Sequence, residues 1–356
     1  MRIVTKLLKI RIAATALALM CTAGAHAQSG KVTLAPSFTV DAALLEAAQK
    51  EGKVVFWCSL RAEECALVSG KFEEMTKIKA EFLRVSTGPA LTRLSQERAA
   101  NIYSVDVVSH SDQSVWESVY TKKNWLVKYQ PEGTKKYAAE YKDTDGLYFA
   151  HFLIANGIGY NTKGIAPADV PKSYADLTNP KYKGKIVMPH PGYSGGFNET
   201  VAILTRILGW DYFEKLKKND VMVKAGSQFT LNPIVAGGER QIAIQGTDAM
   251  FLSDAQQGKS VGIIYPTEGT VVNAMYAGLV ADAPHPNAGK LLLEWIHSAE
   301  SQTQVAAFNW LVPHPDTRYP VGRKGLKDIK VLTMSPEEAI AANAAAKKRF
   351  ADLFGG

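Results

Sequence analysis

The stretch Phe149-Ala150-His151-Phe152-Leu153-Ile154-Ala155-Asn156-Gly157-Ile158-Gly159-Tyr160 is apolar almost throughout and is interrupted by Asn156-Gly157. It reads as two buried strands with a break between them, because Asn-Gly between apolar runs is a strong turn signal. After it, the Pro- and Lys-rich segment from Ala166 to Lys185 reads as irregular surface. The chain is therefore expected to leave a first α/β unit here and to enter a second.

Upstream of this stretch, strand and helix signals alternate. Asp41 can cap a helix from Ala42 to about Lys50 that Gly52 closes, and Val54-Val55-Phe56-Trp57 follows as a short apolar strand. A helix (Glu63 to Thr76), a strand (Lys79 to Val85), a helix (Ala90 to Asn101) and a strand (Val105 to Val108) repeat the rhythm. Apolar strands alternating with helices imply a sheet covered on both faces. Downstream, Ile186-Val187-Met188 leads into a helix from about Gly196 to Leu208. Ile242 to Ile244 and Val261 to Pro266 read as further buried strands, and Met275 to Val280 as the return to the first unit. Asn287 is read as the cap of an amphipathic helix with Leu291, Leu292, Trp295 and Ile296 inward. Ser335 and Glu338 form a capping-box pattern for a C-terminal helix.

At the N-terminus Arg2, Lys6, Lys9 and Arg11 flank an apolar run, Ile12 to Met20, which leads to Ala25-His26-Ala27. That order is a secretory signal peptide with cleavage before Gln28. The run is shorter than the roughly 18 apolar residues that suggest a membrane span. Cys21 follows Met20, whereas a lipid-attachment site needs a small residue there, so lipidation is not expected. Removing residues 1–27 takes away four basic groups and no acidic ones, so the formal charge falls from +7 to +3. So weak a charge gives nucleic-acid binding no support. The expected layout is residues 28–153 as the first lobe, 154–271 as the main part of the second, 272–330 as the return and 331–356 as the C-terminal helix.

Cys58 and Cys65 survive cleavage and would meet an oxidising compartment. A disulfide stapling the first strand to its helix is the economical reading, with two buried thiols as the alternative. The C-x6-C spacing argues against a redox pair, which would read C-x-x-C.

Tyr160-Asn161-Thr162-Lys163, Pro171-Lys172-Ser173-Tyr174-Ala175-Asp176-Leu177 and Pro180-Lys181-Tyr182-Lys183-Gly184-Lys185-Ile186 resemble, in order, a signature of extracellular solute-binding proteins of the iron-binding-protein-like family. Tyr265 to Thr270 and Ala283 to Ala288 resemble two later segments of the same family. The resemblance implies a two-lobed periplasmic binding protein of type II-like α/β fold. In that fold each lobe is a mixed sheet flanked by helices, and crossing strands join the two. It also implies a periplasmic monomer without cofactor that captures a small solute and passes it to an inner-membrane ABC permease.

In such a cleft, strand ends followed by helix N-termini gather free backbone N–H groups. The turns with suitable chemistry are Ser59-Leu60-Arg61, Ser86-Thr87-Gly88 and Tyr193-Ser194-Gly195-Gly196, with Ser111 and Asp112 after the strand that leads to His110. Arg61 could pair with a carboxylate or phosphoryl group. Tyr265 could wall the cleft, while Asp248 and Glu268 would suit an ammonium group. The expected ligand is therefore a small anion or zwitterion: a carboxylate, phosphonate or sugar phosphate.

Two other functions compete with this one. Ferric binders of the resembled family use adjacent tyrosines after the strand matching Ile242 to Ile244, but here Gly246 to Leu252 contains none. Gly192-Tyr193-Ser194-Gly195-Gly196 formally matches the nucleophile elbow of a serine hydrolase, which would need a later histidine such as His285, His297 or His314.

Overall fold

The computed structural model describes residues 30–226 and 228–355. The signal peptide and its cleavage site lie outside them. Strands β1 (Lys31–Ala35) and β2 (Phe38–Asp41) form a small hairpin that leads into helix α1 (Ala42–Glu51). The Asp41 side chain caps α1, and Gly52 closes it in the left-handed conformation at φ 72°. The first unit continues through β3 (Lys53–Cys58), α2 (Ala62–Thr76), β4 (Lys79–Arg84), α3 (Thr87–Ala99) and β5 (Val107–His110). A short helix α4 (Gln113–Val115) then runs into a π-helical turn, Trp116–Thr121, before β6 (Leu126–Val127). β3 is parallel to both β4 and β5, as expected of strands joined by helices.

The long strand β7 (Phe149–Asn161) opens the second unit. β8 (Ile186–Pro189), α5 (Gly195–Leu208), α6 (Trp210–Lys218), β9 (Met222–Lys224), α7 (Leu231–Ala236), β10 (Ile242–Thr247), α8 (Asp248–Gln256) and β11 (Val261–Ile264) follow it. β12 (Thr270–Val280) returns to the first unit, where α9 (Pro286–Ile296) and α10 (Ala299–Ala306) pack. β13 (Val331–Leu332) and α11 (Pro336–Phe354) end the chain, and α11 lies on α5 with Phe350 against Phe197 and Phe213.

Among the described residues, eleven strands make one mixed sheet whose main path is β4-β3-β5-β12-β7-β10-β8-β9. β7 and β12 are its spine. They pair antiparallel from Phe149–Ala277 to Asn156–Val271, and each then carries on into one half of the molecule. The far end of β7 pairs with β10 and β11, while the far end of β12 pairs with β5 and β6. Apolar side chains fill both faces of the sheet in each half. Phe56, Phe72, Leu291 and Trp295 lie on one face of the first half, with Trp57, Trp116 and Tyr148 on the other. Ile186, Phe197 and Ile244 pack in the second half, opposite Val187, Ala243 and Phe251.

The structure corrects the sequence reading at Asn156-Gly157, which is no turn because β7 runs straight through it. The Asn156 amide, fully buried, donates to the Ile154 and Val271 carbonyls and to Asn273 Oδ1 at 2.7 Å. A Cβ on Gly157 would lie 2.2 Å from the Ile264 carbonyl oxygen, so glycine here serves the close approach of β11. Two helix starts also differ from expectation. α3 begins at Thr87 rather than Ala90, and α9 has His285 at its cap position instead of Asn287. The Glu51 carboxylate, brought from α1, takes over that capping by accepting the Asn287 and Ala288 N–H groups at 3.1 and 2.7 Å.

Cys58 and Cys65 form a disulfide that ties the end of β3 to the first turns of α2. With a sequence separation of seven residues, the bridge closes a short loop. Its loss is expected to cost about 2–3 kcal/mol in the loop-entropy account. Alkylation followed by intact-mass measurement should detect two thiols only after reduction; two alkylated thiols without reductant would contradict the bridge.

Candidate functional site

A cleft of about 540 Å³ opens where the two halves face each other across the crossing strands. Its first-half wall is Ser59 at the end of β3, Arg84 to Pro89 between β4 and α3, and Ser111 and Asp112 after β5. Its second-half wall is Pro191 to Gly196 at the entrance to α5, with Gly226, Gln228 and Phe229. Ile154, Asn273 and Met275 of the crossing strands form the floor, and Lys347 reaches in from α11. The turns at Ser59, Ser86 to Gly88, Ser111-Asp112 and Tyr193 to Gly196, widely separated in sequence, thus meet around one space.

Their local chemistry follows from where each element begins. α3 and α5 start at the cleft, and the first N–H groups of a helix have no intrahelical acceptor. Ser86 stands at the cap position of α3 without capping it, whereas Ser194 Oγ accepts from the Phe197 N–H at 3.4 Å. A Cβ on Gly196 would come within 2.9 Å of both Asn273 Oδ1 and Gln228 Oε1, so this glycine allows the helix end to approach the floor. Ser59 Oγ lies 2.5 Å from Ser109 Oγ, which in turn lies 2.7 Å from His151 Nε2. Burial pushes the His151 pKa down to about 3, so this relay ends on a neutral ring at physiological pH.

Amides and hydroxyls knit the floor together. Gln228 Nε2 donates to Asn156 Oδ1 (3.2 Å), Gln245 Nε2 to Gln228 Oε1 (3.2 Å) and Thr200 Oγ1 to Gln245 Oε1 (2.5 Å). Gln245 is the bulge residue of β10 and sits at φ 73°, a strained conformation for a side chain of its type. Such strain persists only where surrounding contacts fix it, and here the buried Gln228, Thr200 and Asn273, each hydrogen-bonded to the Gln245 side chain, do so.

Four candidates from the sequence do not line the cleft, and each is held by other partners. Arg61 lies at the N-terminus of α2, its guanidinium bound to the buried Glu64, which also accepts from Trp310 Nε1 at 2.7 Å. Asp248 is fully buried against Arg323, with 2.7 Å between Oδ2 and Nη2, and Tyr265 Oη donates to the same carboxylate at 3.1 Å. Glu268 accepts the backbone N–H groups of Tyr174 and Ala175 at 3.1 and 2.9 Å. The elbow reading also finds no support, since Ser194 Oγ donates to Gln228 while His285 pairs with Asp106, His297 with Tyr137, and His314 Nδ1 accepts from the Asp316 N–H.

Sequence reasoning did not single out Arg84, Gln228, Asn273 or Lys347. Arg84 ends a strand immediately before the Ser86 turn, so the strand-end argument applied to that turn could have found it. The other three reach the cleft only through long-range packing.

The family model for bacterial extracellular solute-binding proteins matches residues 106–330, more than half of the chain. The chain belongs to that family. A candidate 2-aminoethylphosphonate-binding periplasmic protein of Salmonella typhimurium is 27% identical over 256 residues, spanning 68% of this chain and 71% of that one. The fold of this solute-binding protein matches AfuA from Actinobacillus pleuropneumoniae, a periplasmic binding protein solved with fructose-6-phosphate. Their TM-score is 0.73 at 22% identity, covering 85% of this chain and 98% of that one. Iron-bound HitA from Pseudomonas aeruginosa matches at TM-score 0.72 and 17% identity, covering 85% and 99%.

In this solute-binding protein one acidic group sits beside the floor. Asn273 Nδ2 donates to Glu199 Oε2 at 2.5 Å. Desolvation raises the Glu199 pKa from 4.5 to about 7; the Asn273 hydrogen bond opposes the rise and Asp112 adds to it. The folded state therefore keeps a proton that the unfolded chain releases, so stability should fall as pH rises from about 4.5 to about 7. Above that range this contribution is constant. Denaturant titrations across the interval should show the slope, and Glu199→Gln should reduce it; an unchanged slope in the variant would contradict the assignment.

Proposed function

We propose that the cleft captures a small organic anion or zwitterion bearing a phosphonate or phosphate group, and that the protein delivers it in the periplasm to the permease of an ABC importer. The observation that carries this reading is the convergence of two helix N-termini, hydroxyl turns and two cations, Arg84 and Lys347, on one space. Helix N-termini with free N–H groups favour tetrahedral oxyanions, and arginine adds bidentate hydrogen bonds. The described relatives support the same ligand class: the Salmonella protein by its 2-aminoethylphosphonate description and AfuA by its bound sugar phosphate. Because the walls come from both halves, all of these groups can contact one small molecule only if the lobes close about β7 and β12. Under this reading the ligand set is Ser59, Arg84, Ser86, Thr87, Gly88, Ser111, Tyr193, Ser194, Gly195, Gly196 and Lys347, while Asp112 faces the ammonium end of a zwitterion.

Ferric ion is the second reading, favoured by the likeness to iron-bound HitA. Tyr193 is the one tyrosine among the described residues lining the cleft, which weighs against a phenolate pair. Mass spectrometry of small molecules released from the purified protein, with a thermal-shift screen of phosphonates and sugar phosphates, tests the proposal. A ligand at 100 times its Kd should add about 2.7 kcal/mol of stability. A phenolate-to-iron absorption band on adding ferric salt, with no response to any phosphoryl compound, would overturn it.

A further inference from the structure

Side chains alternate across β12, so that Asn273 and Met275 face the cleft just described while Val272, Ala274 and Tyr276 face a second groove on the opposite side of the strand. This groove holds about 610 Å³. Its lining carries five carboxylates, Glu117, Glu140, Asp143, Asp145 and Glu199, against one lysine, Lys142. None of the five forms a salt bridge among the described residues. A concave surface lined by one sign of charge focuses its field and concentrates counter-ions.

The wall behind these charges is aromatic and rigid. Tyr148 stacks on Trp116 with centroids 5.0 Å apart and meets Tyr276 edge-on at 5.2 Å. Tyr148 is further fixed by donating its hydroxyl to Glu117. Tyr276 is only 4% exposed, and its hydroxyl, which lines the groove, makes no hydrogen bond to the protein among the described residues. The ring is held in the core while the hydroxyl lines the groove without a protein partner, which leaves it free to pair with a ligand there.

We propose that the groove on the far face of β12 is a second ligand site, which takes an organic cation carrying more than one ammonium group. Carboxylates supply the charge partners, and the Tyr276 hydroxyl supplies an acceptor for one ammonium N–H. Among the described residues no three His, Cys, Asp or Glu side chains converge as a metal site would require, so the carboxylates suit several separated charges better than one compact metal ion. Two residues link the groove to the first cleft: Ser111, which lines both, and Glu199, through its hydrogen bond from Asn273. Cation binding would hold Glu199 ionised and so release its proton. The site does not depend on the phosphoryl reading of the first cleft.

The test is calorimetry of the wild-type protein with spermidine and with putrescine at low salt, alongside magnesium chloride and with 2-aminoethylphosphonate as competitor. Saturable binding of spermidine at one site is expected, tighter than that of putrescine. Glu199→Gln and Tyr276→Phe should each weaken it at least tenfold. Arg84→Glu, on the other face, should leave it unchanged whether or not the phosphonate binds, and the phosphonate should not displace the polyamine. The proposal is overturned if neither amine binds, if magnesium binds as tightly as spermidine, or if Glu140→Gln weakens binding more than Glu199→Gln does, which would indicate diffuse surface attraction. Displacement of the polyamine by 2-aminoethylphosphonate would place the amine in the first cleft and overturn it equally.

Discussion

Arg84→Glu is expected to weaken capture of a phosphonate or sugar phosphate by roughly 30- to several-thousand-fold. Arg84 is solvent-exposed in the present structure, with Nε donating to the Leu60 carbonyl at 3.3 Å and the rest of its guanidinium at the rim of the cleft. Closure around an anion would desolvate that guanidinium and convert a surface charge into a paired one. Losing one partner of such a pair costs about 2–5 kcal/mol, and reversing the charge adds repulsion against the ligand. Arg61→Glu provides the contrast. It should lower stability by breaking the contacts with Glu64 and leave affinity near wild type. Calorimetry with 2-aminoethylphosphonate and fructose 6-phosphate on both variants separates the two arginines. Wild-type affinity in Arg84→Glu would mean that the anion does not sit where proposed.

The second large effect concerns stability. Arg323 and Asp248 form a buried ion pair whose side chains are 1% and 0% exposed. Arg323 also donates to the Asn309 and Lys324 carbonyls, each at 2.7 Å, and to Tyr265 Oη at 3.1 Å. It therefore ties the segment after α10 to the start of α8, far along the chain. Removing either charge alone strands the other in a desolvated site, so Arg323→Ala or Asp248→Ala should each cost about 3–5 kcal/mol in urea unfolding. The double variant Asp248→Ala/Arg323→Ala should cost less than the two single losses combined, since no charge is then left unpaired. Strict additivity in that cycle would contradict a coupled pair.

How far the sequence could be read depended on whether a residue's role was local. The Asp41 and Ser335 caps and the Gly52 stop follow from spacing within a dozen or so residues, and the parallel β3-β4 pair from the strand–helix–strand order of one short segment; the structure has each of them. The strand-end rule marked the Ser59, Ser86 and Ser194 turns, and the fold brings all three to one cleft together with Ser111. Asn156-Gly157 misled because a turn signal and a close strand approach call on the same pair of residues. The neighbour that decides between them, Ile264, is more than a hundred positions away. Asp248, Tyr265 and Glu268 looked like ligands for the same reason. A charged or hydroxyl-bearing side chain near a strand end is indistinguishable, in sequence alone, from one reserved for Arg323 or for the N–H groups of Tyr174 and Ala175. Lys347 was out of reach because its place at the cleft depends on how α11 docks against α5.

Small-angle scattering of the mature protein, titrated with 2-aminoethylphosphonate and with fructose 6-phosphate, tests most directly the claim that a phosphoryl solute is captured between closing lobes. For whichever compound binds, the radius of gyration should fall in step with saturation and level off at one equivalent, while Arg84→Glu at the same concentrations should keep the unliganded value. A saturating ligand that leaves the radius of gyration of the wild-type protein unchanged would contradict the account.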